Sequence, residues 1–252
     1  MFRKLIGTTQ VTVQFLLWLY AIYMTNFVIL PDFFKENQIK QFLLYFLCVL
    51  HQLCMCRNLY KAMFTSSRVS QITKEEIKDK ENKYNICKKC SQLRPNRSHH
   101  CSICEMCVDK MDHHCYILNN CVGRKNYKYF FSYIFLTLIN AGIMFTLSLL
   151  IILQWKEELK GQFKKQKFAP FPIQILFNLP VRTFLLLFIA FVTAIMMSYF
   201  VMYHLFLLYK DETTIERKHK QLKYQSQKNK SFKDKINKMI ESDNWLDIYW
   251  PD

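Results

Sequence analysis

Charge is missing from four long blocks of the sequence, which contain no aspartate, glutamate, lysine or arginine. These blocks are Val11–Leu30, Phe42–Cys56, Tyr129–Trp155 and Thr183–Tyr209. The apolar residues of a soluble domain recur with the period of its helices and strands, so this concentration argues against four buried helices of a globular core. About 20 apolar residues cross the hydrocarbon core of a bilayer, and the first, third and fourth blocks reach that length.

The second block is shorter, because Arg57 ends it after 15 residues. It becomes long enough to span once the uncharged Gln41 is included and the side chains of Arg57 and Lys61 extend to the headgroups. The sequence therefore predicts an integral membrane protein whose four transmembrane helices lie at about 11–30, 41–57, 129–155 and 183–209.

The first block also lacks the cleavage site of a signal peptide. Arg3 and Lys4 precede it, as in an exported leader, but no small-x-small pattern follows its end. The residues that follow are Pro31-Asp32-Phe33-Phe34. We therefore expect the block to remain in the protein as the first span.

Acidic residues are scarce, with 19 Asp and Glu against 35 Lys and Arg. The region 57–128 has fifteen basic against seven acidic residues, and the tail after Tyr209 has ten against eight. Basic loops stay in the cytosol, which places this region and both termini there. The loop Lys156–Lys167, with five lysines and two glutamates, opposes this orientation, but four spans put it on the lumenal side. The excess positive charge suits anionic lipid headgroups rather than nucleic acid.

Seven of the ten cysteines lie between Cys87 and Cys121, together with four histidines. In the reducing cytosol such a cluster indicates metal binding or catalysis rather than disulfides. The pairs Cys87-x2-Cys90 and Cys101-x2-Cys104 have the spacing that lets two thiolates reach one tetrahedral zinc. Two such sites need eight ligands, so three of these cysteines and histidines are surplus.

A zinc module that binds proteins or nucleic acid is one alternative. The segment has few apolar residues for a core, so metal binding would supply much of its folding energy. RING-type modules close with a second Cys-x2-Cys pair. Here the residues after Cys107 are instead Asp112-His113-His114-Cys115 and then Cys121.

The complete pattern is Cys87-x2-Cys90-x3-Arg94-Pro95-x-Arg97-x2-His100-Cys101-x2-Cys104-x2-Cys107-x4-Asp112-His113-His114-Cys115-x5-Cys121-Val122-Gly123-x2-Asn126-x3-Phe130. It resembles, without a gap, the cysteine-rich domain of the DHHC-type protein S-acyltransferases, or palmitoyltransferases. The resemblance implies an all-α membrane protein with a cytosolic two-zinc domain between helices 2 and 3. Helices 1 and 2 then occupy 1–61, and helices 3 and 4 occupy 129–209. The cytosolic loop is 62–128, with its zinc core at 87–121, and the basic tail is 210–252.

The resemblance also assigns ligands. One zinc is held by Cys87, Cys90, His100 and Cys107, and the other by Cys101, Cys104, His114 and Cys121. Asp112, His113 and Cys115 remain for chemistry, with His99 as a further spare. Spacing alone leaves open a sequential scheme in which Cys87, Cys90, Cys101 and Cys104 share one zinc and Cys115 is a ligand of the second.

The implied activity is transfer of a fatty acyl group, palmitoyl in the first instance, from acyl-CoA to cysteines of other proteins. Cys115 is the expected nucleophile, His113 its base, and Asp112 the group that orients the imidazole. The partners implied are membrane lipids, acyl-CoA, and cytosolic or membrane proteins with juxtamembrane cysteines. The family also suggests the Golgi or the endoplasmic reticulum.

Further residues match the family outside the zinc core. Arg94, Arg97 and His99 resemble positions that face the CoA phosphates, although a general basic membrane-facing surface explains them equally. Thr213 to Glu216 has the form of a helix capping box and also matches a Thr-Thr-x-Glu motif, in which Thr214 packs near Asp112. These residues and Asn126 are expected to support the site.

Two departures from the family pattern bear on activity. Tyr116-Ile117 stand where Pro-Trp usually follows the nucleophile, and no Asp-Pro-Gly motif follows the second span. Neither change removes a reactive group. They leave a second hypothesis, in which the protein is a weakly active or inactive membrane scaffold or partner subunit.

Overall fold

The computed structural model describes residues 38–70, 84–154 and 179–218, together with Leu16, Leu19, Tyr20 and Tyr23. These four residues are helical and belong to the first predicted span. The rest of that span lies outside the described residues, as do the loop 155–178 and the tail beyond 218.

Three long helices dominate the described part of the chain. They are α1 (Gln38–Phe64), α2 (Tyr127–Gln154) and α3 (Leu179–Lys210). Each is long and apolar enough to cross a membrane, over Phe42–Phe64, Tyr127–Leu153 and Val181–Lys210. They cover the second, third and fourth predicted spans.

Helix α1 continues well beyond its predicted end at 57. The predicted span ended at Arg57 because that residue is charged, but a charged residue does not by itself end a helix. Arg57 and Lys61 lie in the last two turns of α1, where the partial negative charge of a helix C-terminus favours cations. The second span is therefore long enough to cross a membrane, although its apolar block alone is too short.

The cysteine-rich segment departs from the predicted all-α class, because it consists of three antiparallel hairpins. Hairpin one pairs β1 (Tyr84–Ile86) with β2 (Leu93–Pro95). Hairpin two pairs β3 (His99–Cys101) with β4 (Met106–Val108). Hairpin three pairs β5 (His113–Cys115) with β6 (Asn120–Val122). Three-residue strands are too short to produce a recognisable alternation of apolar and polar residues.

The turns of these hairpins use left-handed backbone without glycine. Ser91, Glu105 and Asn119, near the end of each hairpin loop, have φ of 53°, 53° and 49°. Residues other than glycine seldom adopt this region, and local contacts must compensate the strain. In the first two hairpins the left-handed residue directly follows a Cys-x2-Cys pair, so metal ligation would help to hold the turn.

The chain divides into two compact units. The first contains Cys54–Tyr133 and Met202–Asp252 together with Met1–Phe15, and it includes all six strands and the short helix α4 (Thr214–Lys218). The second contains Leu16–Leu53 and Ile134–Val201. The core of the second unit is Met144, Leu147, Ile151, Leu186 and Ala190, with Tyr20, Leu44, Cys48 and Phe145 packed against it.

The first unit has small cores made largely of cysteine. One contains Cys101, Val108, Met111 and Cys121, and Ile215 of α4 packs against it. The other contains Val69, Cys87 and Cys107. Cores of this size bury little apolar surface, so the segment depends on polar ties and metal ligation for its stability.

Two asparagine side chains tie the end of α1 to hairpin three. The Asn120 amide donates to the carbonyls of Ala62, Met63 and Thr65 at 3.0–3.1 Å. Asn126 is fully buried and donates to the carbonyls of Ala62 and Cys121. These bonds satisfy carbonyls that a helix C-terminus otherwise leaves unpaired, and they fix hairpin three to a span.

Gly123 marks a close approach of backbone between hairpins two and three. A Cβ at this position would lie 2.6 Å from the Asp109 carbonyl oxygen and 2.9 Å from Val108 Cγ1. Backbone cannot easily yield at such a contact, so only glycine fits. This explains why glycine follows Cys121-Val122.

Candidate active site and metal clusters

Two groups of cysteine and histidine side chains bring their ligand atoms within 4.8 Å of one another. One contains Cys87, Cys90, His100 and Cys107, and the other contains Cys101, Cys104, His114 and Cys121. Each draws two ligands from one hairpin and two from the next. The arrangement is interleaved rather than sequential, and Cys115 lies outside both groups.

The strand register explains the interleaving. His100 lies opposite Cys107 in hairpin two, and His114 lies opposite Cys121 in hairpin three. The neighbouring Cys101 is on the other face of its strand, because successive side chains of a strand alternate. It therefore joins the second group. Three thiols and one imidazole form a donor set typical of tetrahedral structural zinc, and both groups fit it.

The proton affinities of the first group suit a cation. Burial raises the pKa of the Cys107 thiol to about 12, and the adjacent sulfurs of Cys87 and Cys90 add to the effect. Burial also opposes ionisation of Cys87, but the backbone N–H groups of Lys89 and Cys90 outweigh it and lower the pKa of this thiol to about 6. Ionisation of one thiol thus disfavours ionisation of its neighbour, and a bound divalent cation would stabilise both thiolates.

The second group has the same asymmetry. A hydrogen bond from Cys121 lowers the pKa of Cys101 to about 4, against the effect of burial, and the N–H groups of Ile103 and Cys104 assist. The pKa of Cys121 is raised by the same contact. Its Sγ lies 3.5 Å from the sulfur of Cys104 and from Nδ1 of His114.

Strand β5 separates the metal group from the reactive residues. Because side chains alternate along a strand, His113 and Cys115 share one face while His114 takes the other. His114 lies in the second metal group, and the Cys115 thiol is near enough to His113 to raise the pKa of its imidazole. A three-residue strand thus presents an imidazole–thiol pair opposite a metal ligand.

Asp112 completes this arrangement from a buried position, with 1% of its surface exposed. Its Oδ2 lies 2.7 Å from His113 Nδ1 and accepts from the Thr214 hydroxyl at 2.9 Å. Its Oδ1 accepts from the Thr214 backbone N–H at 2.9 Å. Burial alone would raise the pKa of Asp112, but these hydrogen bonds and the charge of His113 lower it, so the carboxylate stays ionised.

The pKa of His113 shifts in the opposite direction to that of Asp112. Burial disfavours the imidazolium, yet the hydrogen bond to Asp112 and the neighbouring Cys115 outweigh burial and raise the pKa of His113 to about 9. An imidazole with this proton affinity can take the proton of an adjacent thiol. An imidazole beside a thiol and bonded to a buried carboxylate is the arrangement found in sets of a nucleophile, a base and an orienting group.

The segment after α3 holds Asp112 in place. The Thr213 N–H donates to Glu216 Oε2 at 2.8 Å, and the Glu216 N–H donates back to the Thr213 hydroxyl at 3.3 Å. This reciprocal capping begins helix α4 and presents Thr214 to Asp112. The Thr-Thr-x-Glu motif is thus both a helix cap and a support for the site.

Arg97 fastens the same segment to the cysteine-rich region. Its Nε and Nη2 donate to the two Glu216 carboxylate oxygens at 2.6 and 2.7 Å, and Nη2 also donates to the Asp211 carbonyl at 2.8 Å. Its Nη1 lies 3.3 Å from the Asp211 carboxylate. Both Arg97 and Glu216 are buried at this contact, and such a bidentate pair is strong and directional.

The other two predicted phosphate contacts lie on neighbouring strands. Arg94 is on β2 and donates from Nη1 to the Ser98 carbonyl, while its Nε is buried without a hydrogen-bond partner within the described residues. His99 begins β3 and pairs with Val108. Of the three, Arg97 has its guanidinium engaged by carboxylates.

Some residues around the site were not found by sequence reasoning. Asn120 gave no signal, because it forms part of no spacing pattern. His204 did give one, since it is a polar residue inside a charge-free block. It is buried in α3 and its ring lies 6.2 Å from that of His113.

Comparison with known proteins agrees with this geometry. The family model described as DHHC palmitoyltransferase matches residues 80–221, which is more than half of the chain. The match includes both metal groups, Asp112, His113, Cys115 and the Thr213–Glu216 segment. No curated protein matches the sequence at the significance required of a relative.

Proposed function

This chain belongs to the DHHC palmitoyltransferase family, and from that membership and its site geometry we propose that it is a protein S-acyltransferase acting through an acyl-enzyme on Cys115. The acyl donor is a long-chain acyl-CoA, palmitoyl-CoA in the first instance. The acceptors are protein cysteines. The observation that carries the proposal is the His113–Asp112 hydrogen bond on the strand that also carries Cys115, beside but outside the metal groups.

In the first half-reaction His113 takes the thiol proton of Cys115. The Cys115 thiolate attacks the thioester carbonyl, a new thioester forms on Cys115, and the CoA thiolate leaves with the proton from His113. In the second half-reaction His113 takes the proton of the acceptor thiol, which attacks the acyl-enzyme. Cys115 leaves and regains that proton. The Asp112 carboxylate stabilises the imidazolium in both steps.

The metal groups have a structural role in this proposal. Zinc held by Cys87, Cys90, His100 and Cys107, and by Cys101, Cys104, His114 and Cys121, would fix the hairpins together and with them the position of β5. A metal-bound thiolate has its lone pair engaged. Cys115 therefore acts as nucleophile because it belongs to neither group.

The position of Cys115 suits an acyl-CoA donor. It lies twelve residues before Tyr127, where the membrane-spanning part of α2 begins. The sulfur is thus close to the headgroup region, where the CoA stays in water while its chain enters the bilayer. Acceptors are then cytosolic or membrane proteins whose cysteines lie near the same surface.

We propose Arg94, Arg97 and His99 as contacts for the CoA phosphates, with unequal weights. Arginine recognises phosphate through its bidentate guanidinium. Glu216 and Asp211 already neutralise most of the charge of Arg97. Arg94 and His99 therefore supply most of the attraction.

We place the protein in the endomembrane system, at the Golgi or endoplasmic reticulum, with four spans and both termini cytosolic. The basic region 57–128 supports this orientation. The first span, at about 11–30, rests on its charge-free sequence and its four helical residues.

A weakly active scaffold is the second candidate, and Tyr116-Ile117 is the observation behind it. Both side chains are exposed on the turn after Cys115, and the Tyr116 ring packs against His114. Neither contacts Asp112. The change therefore affects the surface beside the nucleophile rather than the proton-transfer residues.

Incubation of the purified, zinc-loaded protein with radiolabelled palmitoyl-CoA distinguishes the two candidates. We expect a protein adduct that hydroxylamine releases and that Cys115→Ser does not form. Absence of the adduct on intact protein would favour the scaffold. Persistence of the adduct in Cys115→Ser would contradict the proposed nucleophile.

A further inference from the structure

His204 is a buried polar residue in a membrane-spanning helix, near the end of α3, with 2% of its surface exposed. Polar side chains in spans are costly and are retained where they serve packing or function. The packing explanation requires only that its hydrogen bonds be satisfied. The contacts of His204 with neighbouring aromatic rings indicate a role beyond packing.

The His204 ring forms a triangle with Phe130 and His113. Ring centroids are 5.0 Å apart between His204 and Phe130, 5.3 Å between Phe130 and His113, and 6.2 Å between His113 and His204. Both contacts of Phe130 are edge-to-face, with interplanar angles of 74° and 71°. Such contacts fix the relative tilt of the rings.

Tyr127 anchors this triangle. Its hydroxyl lies 2.9 Å from Nδ1 of His204 and the two ring centroids are 5.7 Å apart. Tyr127 and Phe130 are three residues apart in the first turn of α2, so they share one helix face. The described hydrogen bond of His204 thus locks its ring to the same turn that carries Phe130.

His113 needs such support because it must aim two nitrogens at once. Nδ1 lies 2.7 Å from Asp112 Oδ2, so Nε2 is the nitrogen left to face Cys115. The bond to Asp112 fixes one edge of the imidazole but permits rotation about that contact. The neighbouring rings restrict this rotation, and a misplacement of about 1 Å in such an arrangement costs about 100-fold in rate.

We propose that His204, held by Tyr127, is a positioning residue that fixes the plane of the His113 imidazole toward Cys115. The proposal rests on the acyl transfer function proposed above. His204 touches neither donor nor acceptor and exchanges no proton in this role. It acts through the ring of His113, with Phe130 between them.

The test uses the full-length, zinc-loaded protein and two measurements. One is the rate of adduct formation as a function of palmitoyl-CoA concentration. The other is the alkylation rate of Cys115 by iodoacetamide, followed on its peptide by mass spectrometry, which requires no acyl donor. Zinc content is measured on each variant.

For His204→Ala we expect the maximal rate of adduct formation to fall about 10- to 100-fold, with a KM within about twofold and full zinc content. Alkylation of Cys115 should slow in parallel. Tyr127→Phe removes only the hydrogen bond, so a loss of about 2- to 10-fold is expected. Adding Tyr127→Phe to His204→Ala should cost nothing more, because the bond is already absent.

His204→Asn keeps a polar group near the position of Nδ1 and should recover part of the rate relative to His204→Ala. The matched control is His51→Ala, which removes a span histidine that contacts the Leu136 carbonyl at 3.2 Å, away from the site. Its adduct formation should match the wild type.

Unchanged adduct formation and alkylation in His204→Ala would overturn the proposal. A raised KM at unchanged maximal rate would also do so, because His204 would then contact the donor. Loss of zinc in both His204→Ala and Tyr127→Phe would reduce His204 to a packing residue. If the wild type forms no adduct, acyl transfer fails, and alkylation of Cys115 alone still decides whether His204 positions His113.

Discussion

Hairpins two and three are near copies of one another, and their differences separate a structural cysteine from a reactive one. Each contains His-His-Cys on its first strand and Cys-Val on its second, fourteen residues apart in the sequence and in the same register. In each, the second histidine and the cysteine of the Cys-Val strand belong to the same metal group. Cys101 and Cys115 occupy equivalent positions, yet Cys101 belongs to a metal group and Cys115 does not.

The residue three positions further along explains this divergence. Cys104 follows Cys101 and completes a Cys-x2-Cys pair, whereas Leu118 takes that place after Cys115 and is buried. Without a second thiol Cys115 has no metal group to join. A single replacement thus leaves it free on the face that it shares with His113.

The residue before each His-His-Cys also differs. Ser98 occupies this position in hairpin two and Asp112 in hairpin three. The Ser98 hydroxyl makes only a long contact of 3.5 Å with Asp109, whereas Asp112 accepts three hydrogen bonds. The residue before the first histidine of hairpin three is therefore a buried carboxylate, whereas the equivalent residue of hairpin two is a serine.

The largest expected effect comes from exchanging the two equivalent cysteines for alanine. Cys115→Ala should abolish the hydroxylamine-sensitive adduct and keep two zinc ions per chain, because Cys115 lies in neither metal group. Cys101→Ala should lose the second zinc and much of the fold of hairpins two and three. Radiolabelled adduct and zinc content measure the two outcomes.

Equal zinc loss in both variants would contradict this comparison and restore the sequential ligand scheme. Cys115→Ser provides a control of similar size, since a hydroxyl is a far weaker nucleophile. It should behave like Cys115→Ala in both measurements.

The first histidines of the two hairpins should differ in which kinetic constant they affect. His113→Ala removes the base, so the maximal rate of adduct formation should fall about 10²- to 10⁴-fold with both zinc ions retained. His99→Ala should raise the KM for acyl-CoA and leave the maximal rate within about twofold, because His99 is proposed to contact the donor rather than to transfer a proton.

Zinc loss in His113→Ala would mean that the two histidines of β5 had been assigned to the wrong roles. An equal fall of the maximal rate in His99→Ala would show that hairpin two also contributes to the chemistry.

The residues before the two His-His-Cys strands, Asp112 and Ser98, provide the third test. Asp112→Asn keeps the size of the side chain but removes the charge that stabilises the His113 imidazolium, so we expect a rate loss of about 10²- to 10³-fold. Ser98→Ala, the equivalent change in hairpin two, should alter the rate by less than about twofold. Thr214→Val, which deletes one hydrogen bond to Asp112, should fall between them at about tenfold.

A rate loss in Asp112→Asn no larger than that in Thr214→Val would indicate that the Asp112 charge is unimportant and that only its geometry matters. Thr214→Ser retains the hydroxyl and should recover most of the rate lost in Thr214→Val.

The sequence predicted the parts of the molecule that depend on composition and fixed spacing. Runs without charge predicted four membrane spans, and the described residues contain three helices long enough to cross a membrane. The cysteine and histidine pattern predicted two metal groups and a surplus of residues for chemistry. These features are local along the chain, or they belong to a family pattern that spans the whole site.

Most contacts between distant segments could not be predicted; the exception is Thr214 beside Asp112, which the family motif supplied. Arg97 was assigned to phosphate, but its bond partner Glu216 lies 119 residues away. No local rule relates the two. The three-residue strands escaped detection because hydrogen bonding between turns, rather than alternation, defines them. His204 is a polar residue in a charge-free block, but nothing near it in the sequence indicates that its ring lies beside that of His113.

Asn120 provides the smallest test of activity and the clearest test of architecture, because hairpin two has Met106 at the equivalent position. Asn120→Ala leaves the carbonyls of Met63 and Thr65 without this donor, and Ala62 keeps only Asn126. Buried unpaired groups cost about 1–3 kcal/mol each, so thermal unfolding should begin several degrees lower.

The site itself should work normally in Asn120→Ala molecules that remain folded. Adduct formation per zinc-loaded molecule should therefore stay within about twofold of the wild type. Asn85→Ala is the matched control: it removes an exposed amide that bonds to Asn96 at 2.6 Å and should change stability by less than about 0.5 kcal/mol. If Asn120→Ala slowed adduct formation without lowering stability, the end of α1 would set the position of β5 directly. Hairpin three would then differ from hairpin two in its attachment to a membrane span as much as in its chemistry.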